Sequence, residues 1–465
     1  MKILVINIAL RKNPARLFPP IGLGYVITAM KRAGFQFDIL DLDAHPQEPE
    51  ETERFLRTHR YDVVAMGCIV TGYKFVKWLS ATVKEAFPGT VVIVGNTVAQ
   101  SISEILLTRS GADVAVMGEG DETIVELLRR LESSHDLDAI AGIRYRAGDH
   151  LISTPPRPPI PNLDTLPFPD WDLLDIDVYI RSLSRKPDEP LPPIPPEKIR
   201  ALPINTARGC PFQCTFCYHV FRDVKYRSRS AASVIAEMRE WNRRYGINLC
   251  AMNDELTFYS VRQAEEFADA LLASGLEIWW KADVRSGLFH ADEHVELARK
   301  MHRAGCLALG FSLESSDPVI LKAMKKGADP IQFARQCEIL HRAGVAPLTS
   351  IVIGYPTETE ESVRATIRWC VDAGVYPSTG YLLPQPRTPM YEYACRNGYI
   401  QDEEAYLLAM GDRQDLRLNM TQIPDDRLEA VVAQELKRAS TELRVNLQGH
   451  CLLKTGVYRA VQNVA

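Results

Sequence analysis

The sequence predicts an α/β chain in which two parallel-sheet domains follow one another, joined by a proline-rich connection and closed by a helical region. Three observations carry this. Short apolar runs alternate with helical stretches from residue 1 to about 135, thirteen prolines fall between Leu151 and Arg200, and the alternation resumes from Ile199 to about Pro384. Strands alternating with helices of this length build parallel sheets with helices on their faces.

In the first half the strand candidates are Ile3 to Ile8, Phe35 to Leu42, Val63 to Met66, Val91 to Val94 and Val114 to Met117. Helical periodicity fits Gly22 to Ala33, Lys74 to Ala86, Ser101 to Arg109 and Thr123 to Leu131. This pattern is that of a doubly wound sheet, whose ligands sit at the carboxyl ends of the strands. The prolines that follow, with pairs at 155–156, 158–159, 192–193 and 195–196, exclude helices and central strands and read as a semi-rigid extended linker. Within it, Pro161 to Trp171 is a candidate for packing between domains.

The second half offers strands at Leu202 to Thr206, Leu249 to Met252, Glu277 to Ala282, Ala308 to Leu313, Pro347 to Ile353 and Thr379 to Leu383. Six strand-helix units close about three quarters of a barrel, with chemistry at the strands' C-terminal ends. Beyond Tyr391 the pattern is helical, with Asp425 and Asp426 expected to cap a helix over Arg427 to Leu443. The expected divisions are 1–140, 141–200, 201–388 and 389–465.

A net charge of −5 gives no basic excess to follow a nucleic-acid backbone, so nucleic acid is not an expected partner. No apolar run reaches the ~20 residues that span a bilayer, and the N-terminus lacks a signal peptide's order, so no membrane and a reducing cytoplasm are expected. Of ten cysteines seven stand alone, while Cys210, Cys214 and Cys217 fall within eight residues. That is a ligand cluster and not a disulfide framework.

The stretch Asn205-Thr-Ala-Arg-Gly-Cys210-Pro-Phe-Gln-Cys214-Thr-Phe-Cys217-Tyr218 directly follows the first strand of the second half. Such a loop can place three thiolates on three irons of a [4Fe-4S] cubane and leave the fourth iron without a protein ligand. S-adenosylmethionine can chelate that open iron and receive an electron at its sulfonium. The competing reading is a structural zinc on the same cysteines with His219 or Cys250 as fourth ligand.

CxxxCxxC with the aromatic Phe216, directly after a strand, resembles the radical SAM superfamily. The likeness extends through Gly118-Glu-Gly-Asp121, Pro161 to Trp171, Tyr226-Arg-Ser-Arg229, Gly310 to Ser315 and Ile351 to Glu358. It is a likeness to the branch with an N-terminal cobalamin-binding domain, which includes methyltransferases, anaerobic porphyrin-ester cyclases and members without cobalamin. The resemblance implies a flavodoxin-like first domain, a partial (β/α)6 barrel, and Cys210, Cys214 and Cys217 as cluster ligands. For S-adenosylmethionine it implies Phe216 on the adenine with Tyr218 beside it, and Asp254 or Glu255 at the amino group or a ribose hydroxyl. It further implies Arg285 at the carboxylate, Glu314 at the ribose, and Ile353 and Gly354 in the adenine strand.

For cobalamin the resemblance points to Cys68, Thr71, Gly95, Asn96, Gly118 and Glu119. Here the sequence departs from the family. No histidine ligand follows the first strand, Cys68-Ile-Val70 stands where SxL is expected, and Gly95-Asn96 stands where a glycine pair would admit the nucleotide tail. The apolar segment Val70 to Tyr73 is a candidate to face cobalt. Both a cobalamin-loaded and a vestigial first domain therefore stay open.

The expected function is a radical SAM enzyme that abstracts hydrogen from a carbon of a small, natural-product-like substrate, with a flavodoxin-like electron donor. The favoured outcome is cobalamin-dependent C-methylation. The alternatives are cobalamin-independent dehydration or oxidation of a sugar-like diol, and a non-catalytic iron-sulfur scaffold. Tyr381, Gln385 and Arg387 near the last strand are candidate substrate contacts.

Overall fold

A computed structural model describes residues 1–12, 16–133, 136–184 and 190–445. Cys451 and the end of the C-terminal region lie outside the described residues. The first sheet has seven strands: β1 (Ile3–Asn7), β2 (Asp38–Asp41), β3 (Val63–Gly67), β4 (Val91–Gly95), β5 (Val114–Val116), β6 (Ile143–Ala147) and β7 (His150–Ser153). Their order is β2-β1-β3-β4-β5-β6-β7. The first five are parallel, and β6 and β7 extend the edge as an antiparallel hairpin.

Helices α1 (Ile21–Arg32), α2 (Pro49–Thr58), α3 (Tyr73–Ala86), α4 (Asn96–Arg109) and α5 (Gly120–Ser133) complete this unit. β1, β3 and β4 read as continuous apolar runs because helices cover both faces of the sheet. The order β2-β1-β3-β4-β5 makes β1 and β3 the point where chain direction across the sheet reverses, which is where such folds bind ligands.

The proline-rich connection is not a plain extended spacer. Its first residues form β6 and β7, so an expected boundary at 140 cuts across the first sheet. Its centre folds into α6 (Ile176–Leu183), and Trp171 is fully buried against Trp241 at 6.2 Å between ring centroids. A Cβ on Gly24 of α1 would lie 2.8 Å from the Trp171 ring, so glycine is what lets the indole seat there. Proline removed ladder and helix hydrogen bonds only where it stands, and the chain uses the gaps between.

The second sheet comprises β8 (Ala201–Ile204), β11 (Leu249–Met252), β12 (Trp279–Asp283), β13 (Cys306–Gly310), β14 (Ala346–Ile353) and β15 (Pro377–Tyr381), with a two-stranded ribbon of β9 (Ala207–Arg208) and β10 (Arg227–Ser228) after β8. All six pair in parallel in the order β15-β14-β13-β12-β11-β8, an open barrel. The helices are α7 (Ala231–Tyr245), α8 (Val261–Ser274), α9 (His294–Arg303), α10 (Pro318–Met324), α11 (Pro330–Ala343) and α12 (Glu360–Asp372). α13 (Pro389–Arg396), α14 (Glu403–Ala409) and α15 (Asp425–Glu442) follow. Pro424, and neither aspartate, caps α15; Asp425 and Asp426 occupy its first turn, where they oppose the helix dipole. No helix among the described residues is long and apolar enough to cross a membrane.

Candidate functional site

The carboxyl ends of the two sheets meet. The loop after β5 carries Gly118, Glu119 and Asp121, and the loop after β8 carries Arg208 and then the three cysteines. Arg208 Nη1 donates to Glu119 Oε1 at 2.5 Å and to Asp121 Oδ2 at 3.0 Å, while Nη2 reaches Asp121 Oδ1 at 3.1 Å. Arg227 on β10 donates to Glu119 Oε2 at 3.0 Å, and the Ile160 N–H donates to the same oxygen at 2.6 Å. The Arg208 guanidinium also lies over the Tyr25 ring at 5.2 Å. Glu119 was expected to contact cobalamin; its oxygens are instead taken by two arginines and a backbone N–H.

The cysteine loop runs from Gly209 to the ribbon strand β10. Gly209, at φ +92°, lets the chain turn sharply before Cys210. Thr215 ties the loop down, its N–H donating to Met324 O at 2.9 Å and its hydroxyl lying 2.9 Å from that of Tyr355. Cys210, Cys214 and Cys217 are free thiols. Burial raises the thiols of Cys210 and Cys214, and the nearby Lys326 ammonium opposes this by favouring their thiolates. Among the described residues no three His, Cys, Asp or Glu side chains close on a single ion. A cubane takes each thiolate on a different iron. Three free thiols in one loop beside a cation fit an anionic cluster.

Around this loop the expected S-adenosylmethionine contacts separate into engaged and available groups. Asp254 is buried, and its carboxylate accepts from the Thr206 and Ala207 N–H groups at 2.8 and 3.0 Å, the Thr206 hydroxyl at 2.6 Å and Asn205 Nδ2 at 3.1 Å. Burial raises it to about 6 against those donors. Its bonds shape the entry to the cysteine loop, which removes the expectation that it binds the cofactor's amino group. Glu255 is exposed and accepts a single long bond, from Gly209 N–H at 3.3 Å.

Arg285 stacks 3.5 Å above the Phe212 ring and donates through Nη2 to Lys326 O and Gly327 O at 2.8 and 3.1 Å. Glu314 is buried at φ +66° and accepts from Lys326 Nζ at 2.9 Å. Phe216 is half-buried, edge-on to Tyr355 at 6.3 Å. The buried Tyr218 hydroxyl and His219 Nδ1 make no hydrogen bond to the described residues. Ile353 is fully buried at the end of β14, and Gly354 adopts φ +117°, its N–H donating to the buried Glu358 at 2.8 Å. Lys326 was not singled out from the sequence, and Arg208 and Arg227, although inside the stretches Asn205–Tyr218 and Tyr226–Arg229, were given no role, because nothing local marks a lysine or arginine whose partners lie elsewhere in the chain.

On the first sheet, Gly95 and Gly118 sit at strand ends where an added Cβ would meet nothing within 4 Å. This open backbone fits a bulky group laid across the sheet. Asn96 adopts φ +68°, a left-handed conformation that asparagine tolerates better than most residues, and its Oδ1 folds back onto Thr97 N–H at 2.6 Å. Cys68 is buried against the turn over Val70–Gly72, which also buries Thr71, and burial pushes its thiol up to about 12. Val70 and Tyr73 do not face open space: they share a buried cluster with Leu407 and Met410, and Tyr73 donates to Glu404 at 2.8 Å.

Comparison with known proteins finds a family model for part of each half of the chain. Residues 204–370 match the family model of the radical SAM superfamily and residues 9–128 that of the B12 binding domain. An uncharacterized methyltransferase of Pyrococcus horikoshii is 27% identical over 86% of this chain and 84% of its own. The anaerobic magnesium-protoporphyrin IX monomethyl ester cyclase of Cereibacter sphaeroides is 24% identical over 81% of this chain and 60% of its own. Among solved structures, the radical S-adenosylmethionine methyltransferase TsrM from Kitasatospora setae, with cobalamin and a [4Fe-4S] cluster bound, superimposes with a TM-score of 0.68 at 18% identity, covering 86% of this chain and 78% of that one. At that identity the likeness is one of fold. A radical SAM domain implies a [4Fe-4S] cluster and S-adenosylmethionine, and the B12-binding domain implies cobalamin, so a vestigial first domain is not favoured. The chain carries a B12-binding domain ahead of a radical SAM domain.

Proposed function

We propose that this chain is a cobalamin-dependent radical SAM enzyme that methylates a carbon of a small molecule held between the two sheets. One observation carries the reading: the ion pairs from Glu119 and Asp121 to Arg208 fix the ligand-binding edge of the first sheet to the first residues of the cysteine loop. When bound, the cluster supplies the electron that cleaves S-adenosylmethionine to a 5′-deoxyadenosyl radical, and cobalamin supplies the methyl group.

The protein's part is positioning and exclusion of water. Cys210, Cys214 and Cys217 hold the cluster, and Lys326 offsets the negative charge of their thiolates. Glu255 and Arg285 take the amino and carboxylate ends of S-adenosylmethionine, Glu314 its ribose, and Phe216 with the backbone of Tyr218, Ile353 and Gly354 its adenine. Gly95, Asn96 and Gly118 border the corrin's nucleotide tail, with Cys68 and Thr71 packed beneath. A flavodoxin-like donor delivers the electron. Nine free cysteines among the described residues suit a reducing cytoplasm. Of the functional units expected at 1–140, 141–200, 201–388 and 389–465, the first is extended to Ser153 to take in β6 and β7, and the others stay part of this reading.

The test is anaerobic turnover of cobalamin-loaded protein with candidate substrates. Methylation yields 5′-deoxyadenosine and S-adenosylhomocysteine in equal amounts, because one S-adenosylmethionine is spent on the radical and one on the methyl group. Release of 5′-deoxyadenosine alone, with a product lighter by one water, would overturn it.

A further inference from the structure

We propose that Arg413 anchors an anionic group, a carboxylate or phosphonate, of the small-molecule substrate; this rests on the reading above that a small molecule lies between the sheets. The segment around Arg413 lines the free edge of β15, where Tyr381 N–H donates to Arg413 O at 2.7 Å. Side chains alternate along β15. Tyr381, the register partner of Ile353, shares a buried cluster with Ile351, Ile353, Val431 and Val432 on the helix-covered side, so Gly380 faces the barrel interior, paired with Val352.

Arg413 lies on that interior face. A Cβ on Gly380 would meet Nε, Nη2 and Cζ of Arg413 at 3.1, 3.1 and 3.2 Å, so the guanidinium is laid flat along the strand where only glycine leaves room. The same face carries the Ser312 and Ser350 hydroxyls, 2.7 Å apart.

The guanidinium is half-buried and has no acidic partner among the described residues. Its neighbours are engaged elsewhere: Asp412 with Arg11 at 2.8 Å and Asp415 with Arg417 at 2.7 Å. The Asp412 pair joins the segment to the first domain and fixes it in place. An arginine held flat and partly desolvated without a counter-charge is a preorganised fork for a bidentate anion.

The experiment uses the full chain with its cluster, treated with phenylglyoxal, and reads modification of Arg413 by peptide mass spectrometry. Methylphosphonate or acetate at about ten or more times its dissociation constant should slow that modification roughly tenfold or more, because only the unoccupied fraction reacts, while neutral acetamide does nothing. Whichever anion protects better distinguishes the two sources of charge. Gly380→Ala, which displaces the guanidinium, should abolish the protection. Equal rates with and without both anions would overturn the proposal, as would protection unchanged in Gly380→Ala. Full protection by S-adenosylmethionine or hydroxocobalamin alone would assign Arg413 to a cofactor and overturn it equally. Protection is read without turnover, so it can fail while methylation stands, and absence of 5′-deoxyadenosine would sink the methyltransferase reading with protection intact.

Discussion

Arg208 Nη1 lies 2.5 Å from Glu119 Oε1 across 89 residues of sequence, and both side chains are nearly buried, at 12% and 5% exposure. Removing one partner of such a pair leaves the other charge desolvated and uncompensated. Glu119→Ala should therefore cost roughly 3–5 kcal/mol in denaturant unfolding, and the cluster should be lost faster on exposure to air. Glu119→Gln keeps one acceptor oxygen and should cost less. Wild-type stability and cluster lifetime in Glu119→Ala would show that the two domains are held by other contacts.

The inner parallel strands of both sheets were legible because burial on both faces turns them into apolar runs. So was the cysteine loop, whose spacing is local. What escaped was either masked by proline or non-local. β6 and β7 lie just before the Pro155-Pro156 pair, and Gly142 N–H donates to Pro155 O, so the prolines border the hairpin without interrupting it. α2 had a readable signal, Pro49 at its start with Glu50 and Glu51 in the first turn, yet was not among the expected helices. Glu119 carried no local sign of its arginines, and the engagement of Asp254 by Thr206 and Ala207 appears only once β8 and β11 are side by side.

Replacing Cys210, Cys214 and Cys217 together by Ala should remove the brown chromophore and all cleavage of S-adenosylmethionine. Cys68, Cys250, Cys306, Cys337 and Cys370 are buried and cannot substitute. Iron analysis and 5′-deoxyadenosine release check this. Four irons per chain with cleavage retained would refute the assignment.

Glu314→Gln should keep normal iron but weaken S-adenosylmethionine binding by roughly 1.5–3 kcal/mol, the usual value of a hydrogen bond to a charged group. Calorimetry on the cluster-loaded protein measures it. Since Glu314 also pairs with Lys326, a Lys326→Met variant is the control. If Glu314 touches the cofactor directly, the two losses differ, whereas equal losses would place its effect in the ion pair.

Burial pushes the Glu358 carboxyl up to about 7, against the Gly354, Tyr355 and Ser362 donors. The folded protein thus holds this proton more tightly than the unfolded chain. The stabilisation is full below the usual carboxylate range and is lost as pH rises to about 7, a difference of roughly 3 kcal/mol. Glu358→Gln should remove that slope and unfold at higher denaturant than wild type at about pH 8. Parallel pH profiles for the two proteins would rule the carboxylate out as their source.

Trp171 and Gly24 form a matched pair. Gly24→Ala forces a methyl against the indole at 2.8 Å and should destabilise by roughly 1–3 kcal/mol, the usual penalty of overpacking. Trp171→Phe shortens the ring and should cost stability alone, yet recover part of the loss in the double variant. Additive losses would mean that the two sites do not meet.

A side chain at Asn96 was expected to obstruct the nucleotide tail, but Asn96 already holds φ +68°, the conformation a glycine would give, and its Oδ1 is folded onto Thr97 N–H at 2.6 Å. Beside it, an added Cβ on Gly95 would meet nothing within 4 Å. The backbone is therefore open whichever residue stands at 96. Wild-type protein reconstituted with hydroxocobalamin should retain about one corrin per chain through gel filtration, and Asn96→Gly should bind it no better. A large gain in Asn96→Gly would show that the amide does block the tail. Retention of no corrin by either protein would return the first domain to a structural role and take the methyl donor away from the proposed reaction.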